Sequence, residues 1–173
     1  MSLLRRLFRG GLPVGFTGRL EPEESVAAVA ELTEGGHLVA TSLGLWVPDD
    51  DGQRRIGWHL ISKASWSEHA MVVTEARETG TAGEAVLIGD LPPRRFPVSA
   101  PGKLPRAVQV RVTGSIRTRD HRDLPGGGAW FVQRKVPGRD GVVLQVRPDD
   151  GADAEAVARV AAEVAGKIRE ALH

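Results

Sequence analysis

The C-terminal segment carries the longest uninterrupted periodic pattern in this chain. Between residues 152 and 172, apolar side chains recur every three or four positions, which places them on one face of a helix. Acidic residues lie near the start of the segment and basic residues near its end, as the helix dipole favours. The pattern predicts an amphipathic helix over residues 152–172 whose apolar stripe consists of Ala154, Val157, Val160, Ala161, Val164, Ile168 and Leu172.

Upstream of this helix, glycine, proline and aspartate divide the sequence into short apolar runs. Alternation is most regular in Arg106–Thr118, where Val108, Val110 and Val112 face one way if the segment is a strand. Residues 91–105 contain five prolines, and proline cannot donate a ladder hydrogen bond, so a long connection is predicted there. The predicted strands are Val26–Leu32, His37–Val47 with a bend or bulge at Gly44, Arg55–Leu60, Ala70–Ala76, Ala85–Ile88, Arg106–Thr118, Ala129–Lys135 and Val142–Val146. The segment Ala64–Trp66 either continues the strand Arg55–Leu60 or turns a corner.

This order of elements predicts a mainly β fold: a barrel or sandwich of about seven antiparallel strands, closed by the C-terminal helix. The segment Asp49–Gly52 predicts a hairpin turn of type I′, because Asp-Gly tolerates positive φ angles. A chain of 173 residues has the usual length of one domain. We expect a single domain over residues 15–173, preceded by a basic segment at residues 1–14.

Composition excludes several classes of function. The chain has no cysteine, so it has no disulfide framework, thiolate zinc site or thiol nucleophile. No apolar run approaches the ~20 residues of a membrane-spanning helix, and no signal peptide is recognisable, so we expect a cytoplasmic protein. Net charge is +1, but residues 91–139 contain eleven Lys or Arg and two Asp. This basic block either pairs with acidic strands in the fold or forms a face for an anionic partner.

Several short motifs resemble catalytic or metal sites but lack essential parts. His121–Leu124 matches a kinase catalytic-loop tetrad, yet the asparagine, lysine and Asp-Phe-Gly of that site are missing. Asp49–Gly52 has calcium-loop character but no glutamate at the twelfth position. The five histidines never occur at the helical spacing typical of zinc ligands. We therefore predict no catalytic residue, no metal and no cofactor.

Three apolar and tryptophan-rich segments carry a family resemblance. His37–Val47 and Arg55–Ile61, followed by Ala64–Trp66, resemble the bacterial pleckstrin-homology-like domains of the small actinobacterial type. Val110–Ile116 and the C-terminal helix follow in matching order. The resemblance implies two nearly orthogonal sheets that are plugged at one corner by the C-terminal helix.

The resemblance also implies a binding role. Eukaryotic relatives often bind phosphoinositides through basic residues of the first hairpin loop, but the corresponding loop here, Thr33–Gly36, is acidic. The remainder of the superfamily mostly binds peptides or protein segments. We therefore expect a non-enzymatic interaction module with a protein or peptide partner.

Arginines of the basic block and two of the four tryptophans are the candidate contacts. Tryptophan and arginine dominate many protein interfaces, although core packing is the usual role of a tryptophan. We do not expect nucleic acid as the partner, because the one long predicted helix begins with acidic residues. The candidate residues for contact with a partner or an anion are Arg94, Arg95, Arg111, Arg117, Arg134, Trp66 and Trp130.

The N-terminal residues 3–9 form a miniature cationic amphipathic pattern. Leu3, Leu4, Leu7 and Phe8 lie opposite three arginines if the segment is helical. Such a segment either adsorbs weakly to an anionic membrane or packs on the domain.

An enzyme is the alternative to the interaction module. A flavin-binding split barrel also has about six strands, and Arg111 or Arg117 would then hold the flavin phosphate. Against it, no helix is predicted between the strands. Flavin colour in the purified protein would distinguish the two interpretations.

Overall fold

A computed structural model describes Phe8, Arg9 and residues 11–172, with side chains from residue 11 onward. Strands make up 48% and helices 20%, which confirms a mainly β protein with a C-terminal helix. The chain forms two structural units. Unit 1 comprises Met1–Glu75 and Pro92–Thr113, and unit 2 comprises Ala76–Leu91 and Gly114–His173.

The described residues contain thirteen strands, two α-helices and one short 3-10 helix. The elements are β1 Phe8–Arg9, β2 Leu12–Pro13, β3 Val26–Glu31, β4 His37–Thr41, β5 Gly44–Asp49, β6 Gly52–Gly57, the 3-10 helix Trp58–Leu60, β7 Ile61–Ser67, β8 Ala70–Ala82, β9 Ala85–Asp90, β10 Arg94–Pro97, α1 Leu104–Ser115, β11 Ile116–Arg122, β12 Ala129–Lys135, β13 Val142–Pro148 and α2 Ala154–Ala171.

Besides the short β1–β2 pair, unit 1 contains two antiparallel sheets. Strands β3, β4, β5 and β6 form the first sheet in chain order. In the second, residues 70–75 of β8 lie between β7 and β10. The prediction of one strand over Arg55–Leu60 is wrong in its second half: β6 ends at Gly57 and the 3-10 helix follows. Trp58 starts that helix and is buried, and its indole nitrogen donates a hydrogen bond to the carbonyl of Thr41.

Two hairpin turns of unit 1 use positive φ angles differently from the prediction. The β5–β6 hairpin is confirmed, but its loop residues Asp50 and Asp51 do not adopt positive φ; Gly52 does, at 125°. The type I′ geometry occurs instead at Glu68 and His69 between β7 and β8, with φ of 46° and 64°. Histidine adopts positive φ more often than most residues, but glutamate does not, and neither is typical of a type I′ turn, so the sequence gives only a weak signal for this turn.

Helix α1 replaces the strand that the alternating valines predicted. Leu104, Val108 and Val112 lie one helical turn apart, and all three are buried in the unit 1 core. Val110 is 55% exposed, because it lies on the opposite side of the helix. Burial of the i, i+4, i+8 row therefore outweighs the β-propensity of valine. A strand does follow, but it begins only at Ile116.

The core of unit 1 combines both sheets and α1. It includes apolar side chains from the first sheet, from the second and from the helix, and it buries one tryptophan completely. Its largest fully buried members are Trp58, Leu38, Leu45, Ile61, Met71 and Leu104.

Unit 2 is a single sheet covered by α2. Residues 76–82 of β8 pair with β9, and the sheet continues through β13 and β12 to β11 at its edge. Strands β9 and β13 run parallel, with Val86 opposite Gln145. The prediction of antiparallel strands alone is therefore wrong at this pair. Parallel pairing requires a long crossover, and here it runs from Asp90 to Val142.

The C-terminal helix is confirmed. The Asp153 carboxylate caps α2 by accepting hydrogen bonds from the amides of Glu155 and Ala156, at 3.0 and 3.2 Å. Within the predicted stripe, Val157 and Ala161 are fully buried against the unit 2 sheet. The ends of the stripe are not buried: Ala154 is exposed, and Leu172 is 74% exposed.

The N-terminal amphipathic prediction falls mainly outside the described residues, which exclude residues 1–7. Phe8 and Arg9 are not helical: they form β1 and pair with Leu12 and Pro13. No helix in the described part of the chain is long and apolar enough to cross a membrane. The assignment of a single domain to residues 15–173 stays a prediction.

Candidate interaction surface

The seven candidate residues divide between the two units. Four of them, Trp66, Arg94, Arg95 and Arg111, lie in unit 1. The other three belong to unit 2.

In unit 1, the two neighbouring arginines of β10 support the fold. The Arg95 guanidinium donates hydrogen bonds to the carbonyls of Ser67 and Glu68, at 3.5 and 3.0 Å, and so holds the type I′ turn from the next strand. Arg94 lies over the Phe96 ring and donates to the carbonyl of Pro48 at 3.0 Å. Both side chains are engaged by protein groups.

The other two candidates of unit 1 are exposed. Trp66 is 37% exposed near the end of β7. Arg111 lies on the solvent side of α1 and not on a strand as predicted.

In unit 2, Arg134 is only 4% exposed and does not form part of a surface. Its Nε and Nη2 donate to the hydroxyl of Ser115 at 3.0 and 2.6 Å. Burial, and secondarily the nearby Arg147 guanidinium, lowers the pKa of Arg134 to about 10. The side chain therefore remains charged at neutral pH, at a cost in desolvation.

Strand β11 presents a cationic edge to solvent. In the described part of the chain, β12 is its one strand neighbour. Arg117, Arg119 and Arg122 are all exposed, and Arg117 is part of an irregularity in the pairing near the start of the strand. Charges on an edge strand are typical of edges that avoid pairing with identical copies.

Two of these arginines are stacked on aromatic rings of β12. The Arg119 guanidinium lies 4.4 Å from the centre of the half-buried Trp130 ring, and that of Arg122 lies 5.2 Å from Phe131. The His121 ring contacts Trp130 edge-on, with ring centres 5.0 Å apart. Stacking contributes about 0.5–1 kcal/mol at exposed sites and restricts the guanidinium to one place.

A tight loop supports this end of the β11–β12 hairpin. The Asp149 carboxylate lies 2.7 Å from Nε2 of His121 and fixes the imidazole against Trp130. A Cβ atom at Gly128 would lie 2.6 Å from the carbonyl oxygen of Arg122, so only glycine allows the chain to pass this closely. The loop thus positions the aromatic and basic side chains together.

We call Arg117, Arg119, Arg122 and Trp130 the basic edge. Its guanidinium groups can donate paired hydrogen bonds to carboxylates or phosphates, and Trp130 adds partly exposed apolar area. Arg119 and Arg122 belong to the basic block that the sequence indicated, but nothing in the sequence distinguished them from its other arginines. Pairing of Arg119 and Trp130 depends on the register of β11 and β12, which the sequence left open.

Unit 1 contains a densely hydrogen-bonded buried polar group, the Glu24 carboxylate. Thr41 Oγ1 and Trp46 Nε1 donate to it at 2.5 and 2.9 Å. Arg55 Nη1 donates at 2.5 Å, and the backbone amide of Glu21 donates at 3.1 Å. The carboxylate side chain is completely buried, and these four donors fasten the segment before β3 to the first sheet.

Burial alone would raise the pKa of the Glu24 carboxyl. The hydrogen bonds from Thr41, Trp46 and Glu21, together with the charge of Arg55, outweigh burial and hold the pKa below its ordinary value. All of these donors serve the carboxylate itself, so the cluster is a structural fastening. The sequence gives no signal for this cluster, because three of the four donors to Glu24 lie 17, 22 and 31 residues away in the chain.

Among the described residues, no group of histidines, aspartates and glutamates is arranged to hold a metal ion. Comparisons with protein-family models, with curated proteins and with solved structures find no match to this chain. The geometry of the basic edge is therefore the main indication of function.

Proposed function

We propose that the protein is a non-enzymatic interaction module whose partner is another protein, bound at the basic edge of unit 2. The observation that carries the proposal is the stacking of Arg119 on the half-buried Trp130 ring along an exposed edge strand. Arginine and tryptophan are the residue types that most often dominate binding energy at protein interfaces. We expect the interaction to take place in the cytoplasm.

Pre-organisation supports the proposal. Long arginine side chains lose rotamer entropy on binding, and stacking on Trp130 and Phe131 removes part of that loss beforehand. The Asp149–His121 contact further restricts the Trp130 ring by fixing the imidazole beside it. A partner would meet donors that are already oriented.

We further propose that unit 1 has a pleckstrin-homology-like fold. Its order of elements supports this: four consecutive antiparallel strands, a second three-stranded antiparallel sheet and then a helix whose buried face joins the core. In this proposal the helix that plugs the barrel is α1, and not the C-terminal helix α2. The resemblance implies a role in binding other proteins, and in this proposal unit 2 provides the binding surface.

One structural observation supports the flavin-binding alternative. Helix α1 lies between β10 and β11, so the expectation that no helix interrupts the strands is wrong. However, Arg111 lies on this helix and Arg117 on β11, in different units. We therefore keep the flavoprotein as an outcome of the test.

The test is affinity capture with three proteins: wild type, the triple variant Arg117→Glu/Arg119→Glu/Arg122→Glu, and the control Arg159→Glu. Arg159 is an exposed arginine on α2, so the control changes charge elsewhere in unit 2. We expect a protein that wild type and control capture and the triple variant does not. Thermal melts of all three verify folding. Stoichiometric flavin absorbance in the purified wild type, or capture that is indifferent to the triple substitution, would contradict the proposal.

A further inference from the structure

The geometry of β11 points to the chemistry of the partner. We propose that the basic edge binds an extended acidic protein segment, which adds to β11 as a further strand of the unit 2 sheet. This inference rests on the proposed function and specifies how the partner is recognised. It concerns the backbone of the edge as well as its side chains.

The backbone of β11 is suited to strand addition. The strand is seven residues long and pairs with β12 on one side. In such a strand, every second amide and carbonyl points away from the existing neighbour, where an added strand can pair with it. Residues 117–120 are exposed, so this side is open to a segment of about five to seven residues.

Charge selects an acidic occupant over a second copy of this chain. A copy of the edge would bring three arginines and one aspartate against an identical set, and the repulsion between two strands of net positive charge disfavours self-pairing. An acidic segment meets the opposite situation, with one unfavourable charge at Asp120. The positive charge that disfavours pairing with a second copy of β11 therefore favours pairing with an acidic segment.

The arginines of β11 lie on both faces of the sheet. This arrangement favours an added strand, whose side chains reach both faces, over a ligand that contacts one face only. Arg119 shares a face with His121, which is paired with Trp130, whereas Arg122 lies over Phe131 on the face covered by α2. Successive residues of an added strand also alternate between the faces. Carboxylates on both faces of the segment would each find a guanidinium.

The probe is a fluorescein-labelled ten-residue peptide in which pairs of Glu alternate with pairs of Thr, so that an extended strand carries carboxylates on both faces. It is titrated with the full-length protein and followed by anisotropy. A second peptide has the same sequence with methyl groups on its six central amide nitrogens, so it keeps its charge but cannot donate ladder hydrogen bonds. A single-stranded oligodeoxythymidylate of similar charge is the nucleic-acid probe. The protein variants are the triple variant, Asp120→Asn and the control Arg159→Glu.

We expect the unmethylated peptide to bind wild type and control equally, and the methylated peptide to bind at least about tenfold more weakly, since it forfeits several hydrogen bonds. The triple variant should lose binding. Asp120→Asn should bind about two- to fivefold more tightly, because an exposed like charge is removed. This gain cannot arise from misfolding.

Equal affinity for both peptides would overturn strand addition, because charge alone would then explain binding. Oligodeoxythymidylate binding as tight as that of the unmethylated peptide would also overturn it, in favour of a nucleic-acid surface. Failure of the acidic peptide to bind, together with capture of a protein partner that depends on the arginines, would overturn this inference and leave the proposed function standing.

Discussion

Among the described residues, each unit buries one charged side chain, and the fold favours the charged form of one and disfavours that of the other. In unit 1, the Glu24 carboxylate receives four hydrogen bonds, and its pKa is held below the ordinary value, so the fold favours the charged form. In unit 2, burial and Arg147 lower the pKa of Arg134 to about 10, so the fold disfavours the charged form. The same direction of pKa shift thus has opposite meanings for an acid and for a base.

The difference shows that burial of a charge is not itself a sign of stabilisation. Glu24 contributes to stability because four donors, one of them cationic, serve its carboxylate. Arg134 donates to a neutral hydroxyl and lies near a second guanidinium. We therefore expect unit 1 to depend on its buried charge far more than unit 2 depends on its own.

Removal of the Glu24 carboxylate should have the largest effect. Glu24→Ala leaves the buried Trp46 indole nitrogen and Thr41 hydroxyl without this acceptor, and it removes one of the two carboxylates that pair with Arg55, the other being Glu21. We expect a loss of about 2–4 kcal/mol in the free energy of unfolding. Urea unfolding at pH 7 measures it. The control Glu23→Ala removes an exposed neighbouring carboxylate and should change stability by less than about 0.5 kcal/mol. Equal effects of the two substitutions would contradict the importance of the cluster.

Acid should remove the same contribution in a defined direction. Because the pKa of Glu24 is lower in the folded state, its stabilisation is fully present above pH 4.5 and is lost as pH falls through the folded-state pKa. The difference in unfolding free energy between wild type and Glu24→Gln should therefore be constant above pH 4.5 and shrink below it. Urea unfolding of both proteins is measured at several pH values between about 3 and 7. The two proteins can be compared directly because their other carboxylates are identical. A gap that does not change with pH would show that the charge of Glu24 is unimportant.

Replacement of the buried arginine should cost much less. Arg134→Met keeps an aliphatic side chain and removes the desolvation cost of the charge, so we expect a loss of about 1 kcal/mol or less. Arg159→Met on the exposed side of α2 is the control and should be nearly neutral. If Arg134→Met proved as damaging as Glu24→Ala in the same urea experiment, the contrast between the units would be wrong.

The smallest effect should be a gain in unit 1 that involves no buried charge. Glu68→Asn combined with His69→Gly places residues that favour positive φ in the type I′ turn, and we expect about 0.5–1 kcal/mol of added stability. The matched control, Asp50→Asn with Asp51→Gly, makes the same replacement in a turn that lacks positive φ at these positions. Thermal unfolding should show a higher midpoint for the first pair alone; a similar rise in both would refute the assignment of turn types.

The sequence predicted an element correctly where one apolar periodicity continued over a long segment, or where turn residues flanked a short apolar run on both sides. Helix α2 has five turns of consistent spacing, and β12 was predicted with its observed bounds, Ala129–Lys135. It failed at α1 because Val108 and Val112 satisfy both periods: four residues are two full alternations of a strand and about one turn of a helix. Only the depth of burial distinguishes the two, and the sequence does not contain it.

The candidate surface was predicted less well than the fold, and largely as a consequence of α1. With one strand over Arg106–Thr118, Arg111 and Arg117 were expected on the same element. The true strand starts at Ile116 and brings Arg119 onto Trp130 instead. Contacts of this kind depend on strand register, which is determined by packing across the whole sheet. The Glu24 cluster could not be predicted for a similar reason: its donors on Thr41, Trp46 and Arg55 lie far from Glu24 in the chain.

The parallel pairing of β9 with β13 has a consequence for the order in which the protein can be made. A ribosome releases all of unit 1 by Thr113, whereas β9 cannot meet its partner until Val146 has emerged. Residues 76–91 are thus synthesised early and must keep the open side of β9 unpaired while more than a third of the chain is still to come. During that interval an exposed strand edge is available to wrong partners, including other nascent chains, so slow translation between Gly114 and Val142 would be a hazard for this protein.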